Sequence, residues 1–358
     1  MARHSTALTS LCNCLQGMPP VDIEWTSVIG LANQTLTTPA LIDFVDKFAQ
    51  ILPEDVRTYV RHIYSRNVLR NNRLLAQLEE AVVAMNGLGI TPILLKGAST
   101  LASAPEERRG VRLMSDLDIM VMPDEAERAV TALGAIGYQV HERPPPESKR
   151  WYVEMNRPQD VGTIDLQRAA PDSAYFGCDR EHALSHCFAA RLGRGSAYVP
   201  TTTCRALMLI IHDQFQDFGY WLGDLDLRHL LELRDLNSSS GGIDWTELTS
   251  HMSGDLMKNA VETQLLALAE LLGVDIPRPL RSRLIPRLQF MRQLMQARYP
   301  VTRVPFLAMT ILDLRNYRRE GTGSEKTSAR RRGLWTVPRA STLEYLLRAT
   351  TAVRTGKV

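Results

Sequence analysis

The sequence is poor in cysteine: five residues in 358, at Cys12, Cys14, Cys178, Cys187 and Cys204. An odd count at irregular spacing argues against a disulfide framework and for a reducing compartment. No window of about 18 residues is apolar and charge-free enough to span a bilayer, so membrane insertion is not expected. Residues Met1 to Pro20 contain no sustained apolar stretch after a basic start. A secretory signal is therefore not expected, and the expected location is cytoplasmic. There is no Gly-x-Gly-x-x-Gly fingerprint and no Walker loop; Gly193-Arg194-Gly195 lacks the flanking residues and reads as a turn. No repeat of fixed period occurs. A strong charge of one sign is also missing. The net charge of +3 and pI of about 8.6 admit an anionic ligand such as a nucleotide, while nucleic acid is not expected as a partner.

What is present is the material of a globular protein: 44% hydrophobic and 23% charged residues, enough for a substantial core. The length fits roughly two or three packed units. Residues 1–22 are polar and irregular and read as a flexible N-terminus. Residues 23–89 carry helical spacing, as in Leu41, Phe44, Val45 and Phe48, and again in Leu75, Leu78, Val82 and Met85. This helical region ends near Gly87-Leu88-Gly89. Over 90–200 the character changes to an α/β core. Strands are predicted at Pro92–Leu95, Leu113–Met122, Gly137–His141, Arg150–Met155 and Gly162–Gln167, with one helix at Asp124–Ile136. Residues 201–358 return to helical spacing, with a helix start at Asp244-Trp245-Thr246 and helices near Arg283–Arg298, Pro305–Arg318 and Leu343–Val353. The fold class is α+β: a small mixed sheet flanked by N-terminal and C-terminal helical regions.

The informative stretch is Arg112-Leu113-Met114-Ser115-Asp116-Leu117-Asp118-Ile119. Side chains alternate along a strand, so Asp116 and Asp118 share one face while Leu117 and Ile119 share the other. Two crowded carboxylates repel and call for a cation or a proton. Asp165, between Ile164 and Leu166, repeats the pattern on a later strand. Three converging carboxylates offer a charge of about −3 to Mg2+, or Mn2+, with triphosphate oxygens completing the shells. Leu94-Leu95-Lys96-Gly97-Ala98-Ser99 reads as strand, glycine turn and helix N-terminus, a seat for phosphate. There Gly97 permits close backbone approach, and Lys96 and Arg112 supply charge.

These residues resemble the nucleotidyltransferase superfamily that includes DNA polymerase β, and more closely a bacterial family of uncharacterised nucleotidyltransferases. Leu94-Leu95-Lys96-Gly97-Ala98 is similar to that family's Leu-Lys-Gly-Ala turn, and Ser115-Asp116-Leu117-Asp118-Ile119 to its Asp-hydrophobic-Asp strand. Ile164-Asp165-Leu166-Gln167 resembles its later Asp strand, with Gln167 where His often follows. Leu209-Ile210-Ile211-His212, Leu225-Asp226-Leu227 and Leu272-Gly273-Val274-Asp275-Ile276-Pro277 resemble its downstream helical elements. The resemblance implies that Asp116, Asp118 and Asp165 ligate metal, with Asp165 also helping to deprotonate the acceptor. It implies that Gly97 and Ser99 cradle phosphate; Lys96, Arg112 and Ser115 are the further candidates for binding the nucleotide's phosphates. The implied reaction moves a nucleoside monophosphate from an NTP, expected to be ATP, to a hydroxyl or similar acceptor on a small molecule, peptide or protein. The nucleotide is expected in a cleft between sheet and helices. Phosphoryl transfer on the same core, and a non-catalytic nucleotide-binding or scaffold role, stay open at this point.

Other clusters read as structural. His182 and His186 stand at i and i+4 beside Cys178 and Cys187, a zinc-like spacing without a second ligand pair. His212 reads as a hydrogen-bonded structural histidine, with Asp226 pairing to it or to Arg228. The basic residues between 315 and 333, followed by Trp335, read as a solvated loop; RNA binding through that loop is the competing reading.

Overall fold

A computed structural model describes residues 2–143, 152–168, 180–252, 254–306 and 355–358. Two compact units divide the chain. One is Thr37–Leu209 with Asp235–Ser250; the other is Met1–Leu36, Ile210–Arg234 and His251–Val358.

The first unit carries a sheet of seven strands: β1 (Ile93–Leu94), β2 (Asp116–Met120), β3 (Gln139–Glu142), β4 (Tyr152–Asn156), β5 (Thr163–Gln167), β6 (Cys187–Leu192) and β7 (Gly195–Pro200). Their order is β3-β4-β5-β2-β1-β7-β6. The β2–β5 and β1–β7 pairs are parallel and the remaining pairs antiparallel, so the sheet is mixed and the fold α+β, as the residue pattern predicts. Alternation decides the faces. Leu117 and Ile119 of β2, Ile164 and Leu166 of β5, and Val153 and Met155 of β4 are buried in one core. Helices Glu54–Asn86 and Ala126–Ala135 cover that face.

Helix Glu54–Asn86 runs 33 residues because nothing in it stops it: it contains neither glycine nor proline. Glu54 and Asp55 favour its N-terminus and Gly87 caps its end. Its buried stripe has two halves. Leu74, Leu78, Ala81, Val82 and Met85 pack on the sheet, each large side chain contributing about 2 kcal/mol by leaving water. Asn67, Asn71 and Gln77 continue the stripe with polar groups.

Strands β6 and β7 are absent from the sequence prediction, which read only the turn at Gly193. For β6 the reason is weak contrast between faces: Phe188 is exposed and Ala189 and Ala190 favour no side. Gly193 does turn the chain, at φ +55°.

The second unit is helical, with Ala2–Leu15, Trp25–Gln34, the part of Leu227–Ser238 up to Arg234, Gly254–Leu272 and Leu284–Arg298 as its main helices. The expectation of a flexible N-terminus is corrected here. Leu8, Leu11, Cys12 and Leu15 recur at three- and four-residue spacing and are buried, so this segment is a packed helix. Burial pushes the Cys12 and Cys14 thiols up to about 12, which makes both unreactive. Of the partners expected for Asp226, Arg228 does favour its ionised form, but the histidine is His229 and not His212, with Nδ1 at 3.4 Å from Oδ2, because one helical turn brings the two together. His212 lies instead beside Asp217, at 3.6 Å. The basic stretch at 315–333, Trp335, the helix expected at 343–353 and all but the start of the one expected at 305–318 lie outside the described residues. Among the described residues, no helix is long and apolar enough to cross a membrane.

Candidate active site

The acids meet because β2 and β5 are parallel neighbours in one register. Asp118 stands opposite Asp165, and Asp116 opposite Thr163. With Leu117, Ile119, Ile164 and Leu166 committed to the core, all three carboxylates take the other face. One oxygen from each lies within 4.8 Å of the others, close enough to hold a metal ion between them.

The strands are aimed by the polar half of helix Glu54–Asn86. Asn67 Nδ2 donates to Gly110 O (2.7 Å) and Arg112 O (2.8 Å). Asn71 Nδ2 donates to Arg109 O (2.5 Å) and Arg112 O (2.8 Å). Arg70 joins the loop before β2 to the loop before β5, through Met114 O (3.0 Å) and Val161 O (2.7 Å), and Gln77 holds Gly162 O at 2.8 Å. Gly162 is required by this closeness, since a Cβ there would stand 2.7 Å from Ser115 O. Backbone carbonyls that would otherwise be left without donors are thereby used to set where both acid strands begin.

Charge is unbalanced at the cluster. Asp118 is buried, and burial drives its carboxyl upward; Lys96 opposes the shift and Asp116 adds to it. Asp165 is pushed up to about 7, first by burial, then by the charges of Asp118 and Asp116. Lys96 Nζ donates to Asp118 Oδ1 at 2.8 Å, which leaves the set short of positive charge. A hard divalent cation fits that deficit and that donor set.

The phosphate-side residues are placed unequally. Lys96 reaches the cluster from the turn after β1, where Leu95 N donates to Asp118 O at 3.0 Å. The turn is made by Lys96 itself, at φ +41°, rather than by Gly97, the second residue of helix Lys96–Ser103. Gly97 is needed for a different reason: a Cβ there would overlap Arg112 Nη1 and lie 2.9 Å from Met114 Cε. The guanidinium of Arg112 thus rests against bare backbone and favours the ionised form of Asp118. Ser115 Oγ donates to Asp116 Oδ1 at 3.1 Å. Ser99 does not join the group. It is fully buried and donates its hydroxyl hydrogen to Lys96 O at 2.7 Å, because its place in the helix turns it toward its own backbone.

A family model described as uncharacterised nucleotidyltransferase matches residues 21–273, which is 253 of the 358 residues. The chain belongs to that family. Membership in the uncharacterised nucleotidyltransferase family agrees with the resemblance carried by the Leu-Lys-Gly-Ala turn and the two acid strands, and it supports a transferase acting on an NTP. No curated protein and no solved structure matches the chain.

Two neighbours of the acids escaped the sequence reading. Gln167 Nε2 donates to Asp118 Oδ1 at 2.8 Å, so that oxygen accepts from both Lys96 and Gln167. Glu154 of β4 stands opposite Asp165 and raises its proton affinity further. Both were findable by alternation: Gln167 lies two residues beyond Asp165, and Glu154 separates the buried Val153 and Met155. The zinc-like set fares otherwise. Helix Arg180–Ser185 ends before His186, and Cys187 opens β6, so the two histidines do not share a helix face. Their rings meet edge-on with centroids 5.3 Å apart. Cys178 lies outside the described residues.

Proposed function

We propose that this chain is a metal-dependent nucleotidyltransferase that moves a nucleoside monophosphate from an NTP to a hydroxyl or similar acceptor on a small molecule, peptide or protein. The observation that carries the reading is the meeting of Asp116, Asp118 and Asp165 on one sheet face beside Lys96. The same strands motivate placing the chain in the superfamily that includes DNA polymerase β.

Asp116, Asp118 and Asp165 would hold Mg2+ or Mn2+, which when bound supplies positive charge to the triphosphate and to the attacking oxygen. Lys96 and Arg112 bind non-bridging phosphate oxygens as charged donors, with Ser115 at the edge of the same patch. Free N–H groups at the start of helix Lys96–Ser103 add to that seat. Gln167 keeps Asp118 oriented when Lys96 turns from the carboxylate to phosphate. The acceptor oxygen forms a bond to the α-phosphorus while the bond to pyrophosphate breaks, and pyrophosphate leaves with that electron pair. The acceptor's proton passes to Asp165, a role secondary to its role as ligand, because a carboxylate bound to metal is a poor base. Most of the rate comes from positioning and charge.

The test is incubation with each labelled NTP, Mg2+ or Mn2+, and an extract of small molecules and proteins, followed by mass analysis. A product heavier by a nucleoside monophosphate is expected, and one heavier by phosphate alone would replace this reading with phosphoryl transfer. Asp116→Asn and Asp118→Asn are each expected to lower transfer by on the order of 10²-fold or more while the protein stays folded. Full activity in either variant would remove the metal assignment.

A further inference from the structure

A second group of acids lies in the helical unit, and none of its members takes part in the proposed transfer. Asp213 sits in the π-helical turn His212–Gln216, and Asp226 precedes helix Leu227–Ser238. Asp226 Oδ1 accepts from the backbone N–H of His229 at 3.0 Å, which holds carboxylate and imidazole on one turn. Asp213, Asp226 and His229 are all buried, and one ligand atom from each lies within 4.8 Å of the others.

Two features mark this cluster as a place for a cation. His229 Nδ1 is buried and makes no hydrogen bond, yet it stands 3.4 Å from Asp213 Oδ1 and 3.4 Å from Asp226 Oδ2. It is aimed at the centre of the group without being satisfied there. Independently, a cation already occupies that centre. Lys357 Nζ donates to Asp213 Oδ1 and lies 3.0 Å from Asp226 Oδ2 and 3.6 Å from Asp217 Oδ2. The other oxygen of Asp213, Oδ2, accepts from Gln214 Nε2 (2.6 Å) and Gln264 Nε2. Such outer donors are what orients a ligating carboxylate.

The lysine reaches this place on a buried segment, where Arg303 Nη2 donates to Val358 O at 2.9 Å. Gly356 N donates to Gln34 O (2.7 Å), Gln34 Nε2 to Lys357 O (3.1 Å) and Val358 N to Leu225 O (2.9 Å). Two buried carboxylates cannot remain without positive charge, so whatever leaves must be replaced. Two carboxylates and one imidazole are a donor set that suits Mn2+ or Zn2+.

We propose that Asp213, Asp226 and His229 form a divalent-cation site that Lys357 fills in cis, so that the lysine and a metal ion exclude one another. The helical unit then has a built-in cation, and withdrawal of residues 355–358 exchanges it for an external one.

The test uses full-length protein carrying Asp116→Asn and Asp118→Asn, so that ions at the sheet do not count, with Mn2+ as probe read by electron paramagnetic resonance. That background is expected to bind Mn2+ weakly. Adding Lys357→Met is expected to create one tight equivalent, and adding His229→Ala to that chain to weaken it at least tenfold. If the Lys357→Met chain is unfolded without metal, recovery of helical circular dichroism on adding Mn2+ or Zn2+ supports the site. The proposal is overturned if a folded Lys357→Met chain binds no Mn2+, if an unfolded one stays so with either ion, or if binding ignores the His229 substitution. Equal affinity with and without Lys357 would overturn the exclusion.

Discussion

Gly97 leaves the space that Arg112 uses. An alanine there would push the guanidinium away from the helix start, because its methyl would overlap Nη1. Gly97→Ala is expected to weaken NTP binding about tenfold, or roughly 1.4 kcal/mol, measured by calorimetry, while the fold is retained. Asp165 makes a prediction in pH. Its folded-state value is raised to about 7 from an ordinary 3.8. The folded chain therefore holds a proton that the unfolded chain has released between those values, and stability falls as pH rises through that window. Asp165→Asn removes the loss. Without metal, the variant is expected to melt a few degrees above the parent at pH 8, with the gap closing toward pH 4. Glu154→Gln is expected to lower the proton affinity of Asp165, and so to move that window to lower pH, because one of the neighbouring negative charges disappears. A melting profile unchanged in both variants would contradict the charge assignment.

At the scale of the element, helix Glu54–Asn86 does two jobs with one stripe. Leu78 belongs to the apolar half, and Leu78→Ala is expected to cost about 2–5 kcal/mol in urea unfolding. Asn71 belongs to the polar half. Asn71→Ala strips a donor from Arg109 O and Arg112 O and is expected to cost about 1–3 kcal/mol. Unlike the leucine change, it should also weaken NTP binding, since it frees the loop that carries Arg112 and leads into β2. The same contrast explains what the sequence disclosed. β2 and β5 were legible because acids alternate with apolar residues, and the end of the long helix because Leu75, Leu78, Val82 and Met85 keep helical spacing. Asp244 was legible as a helix start and does accept from Thr246 N and Glu247 N. β6 was not legible, since its faces differ too little. The packing of residues 7–15 was hidden by polar residues between the buried ones. Lys357 stands more than 120 residues from its partners Asp213 and Asp226, and no local pattern can announce such a contact.

For the whole molecule, ligand binding and stability are linked. MgATP at 100 times its dissociation constant is expected to stabilise the chain by about 2.7 kcal/mol, with no gain for Asp116→Asn, read from denaturant curves. The division of the chain has a consequence for biosynthesis. The unit that bears the acids is Thr37–Leu209 together with Asp235–Ser250, and the latter segment supplies Asp244, whose N–H donates to Thr203 Oγ1 at 3.0 Å. A ribosome that has released only the first 209 residues has therefore not yet delivered everything this unit is made of. Emerging strands must wait until some forty further residues have been translated, a delay of a few seconds at about 5–20 residues per second. That interval is when a nascent-chain chaperone would find the most to hold.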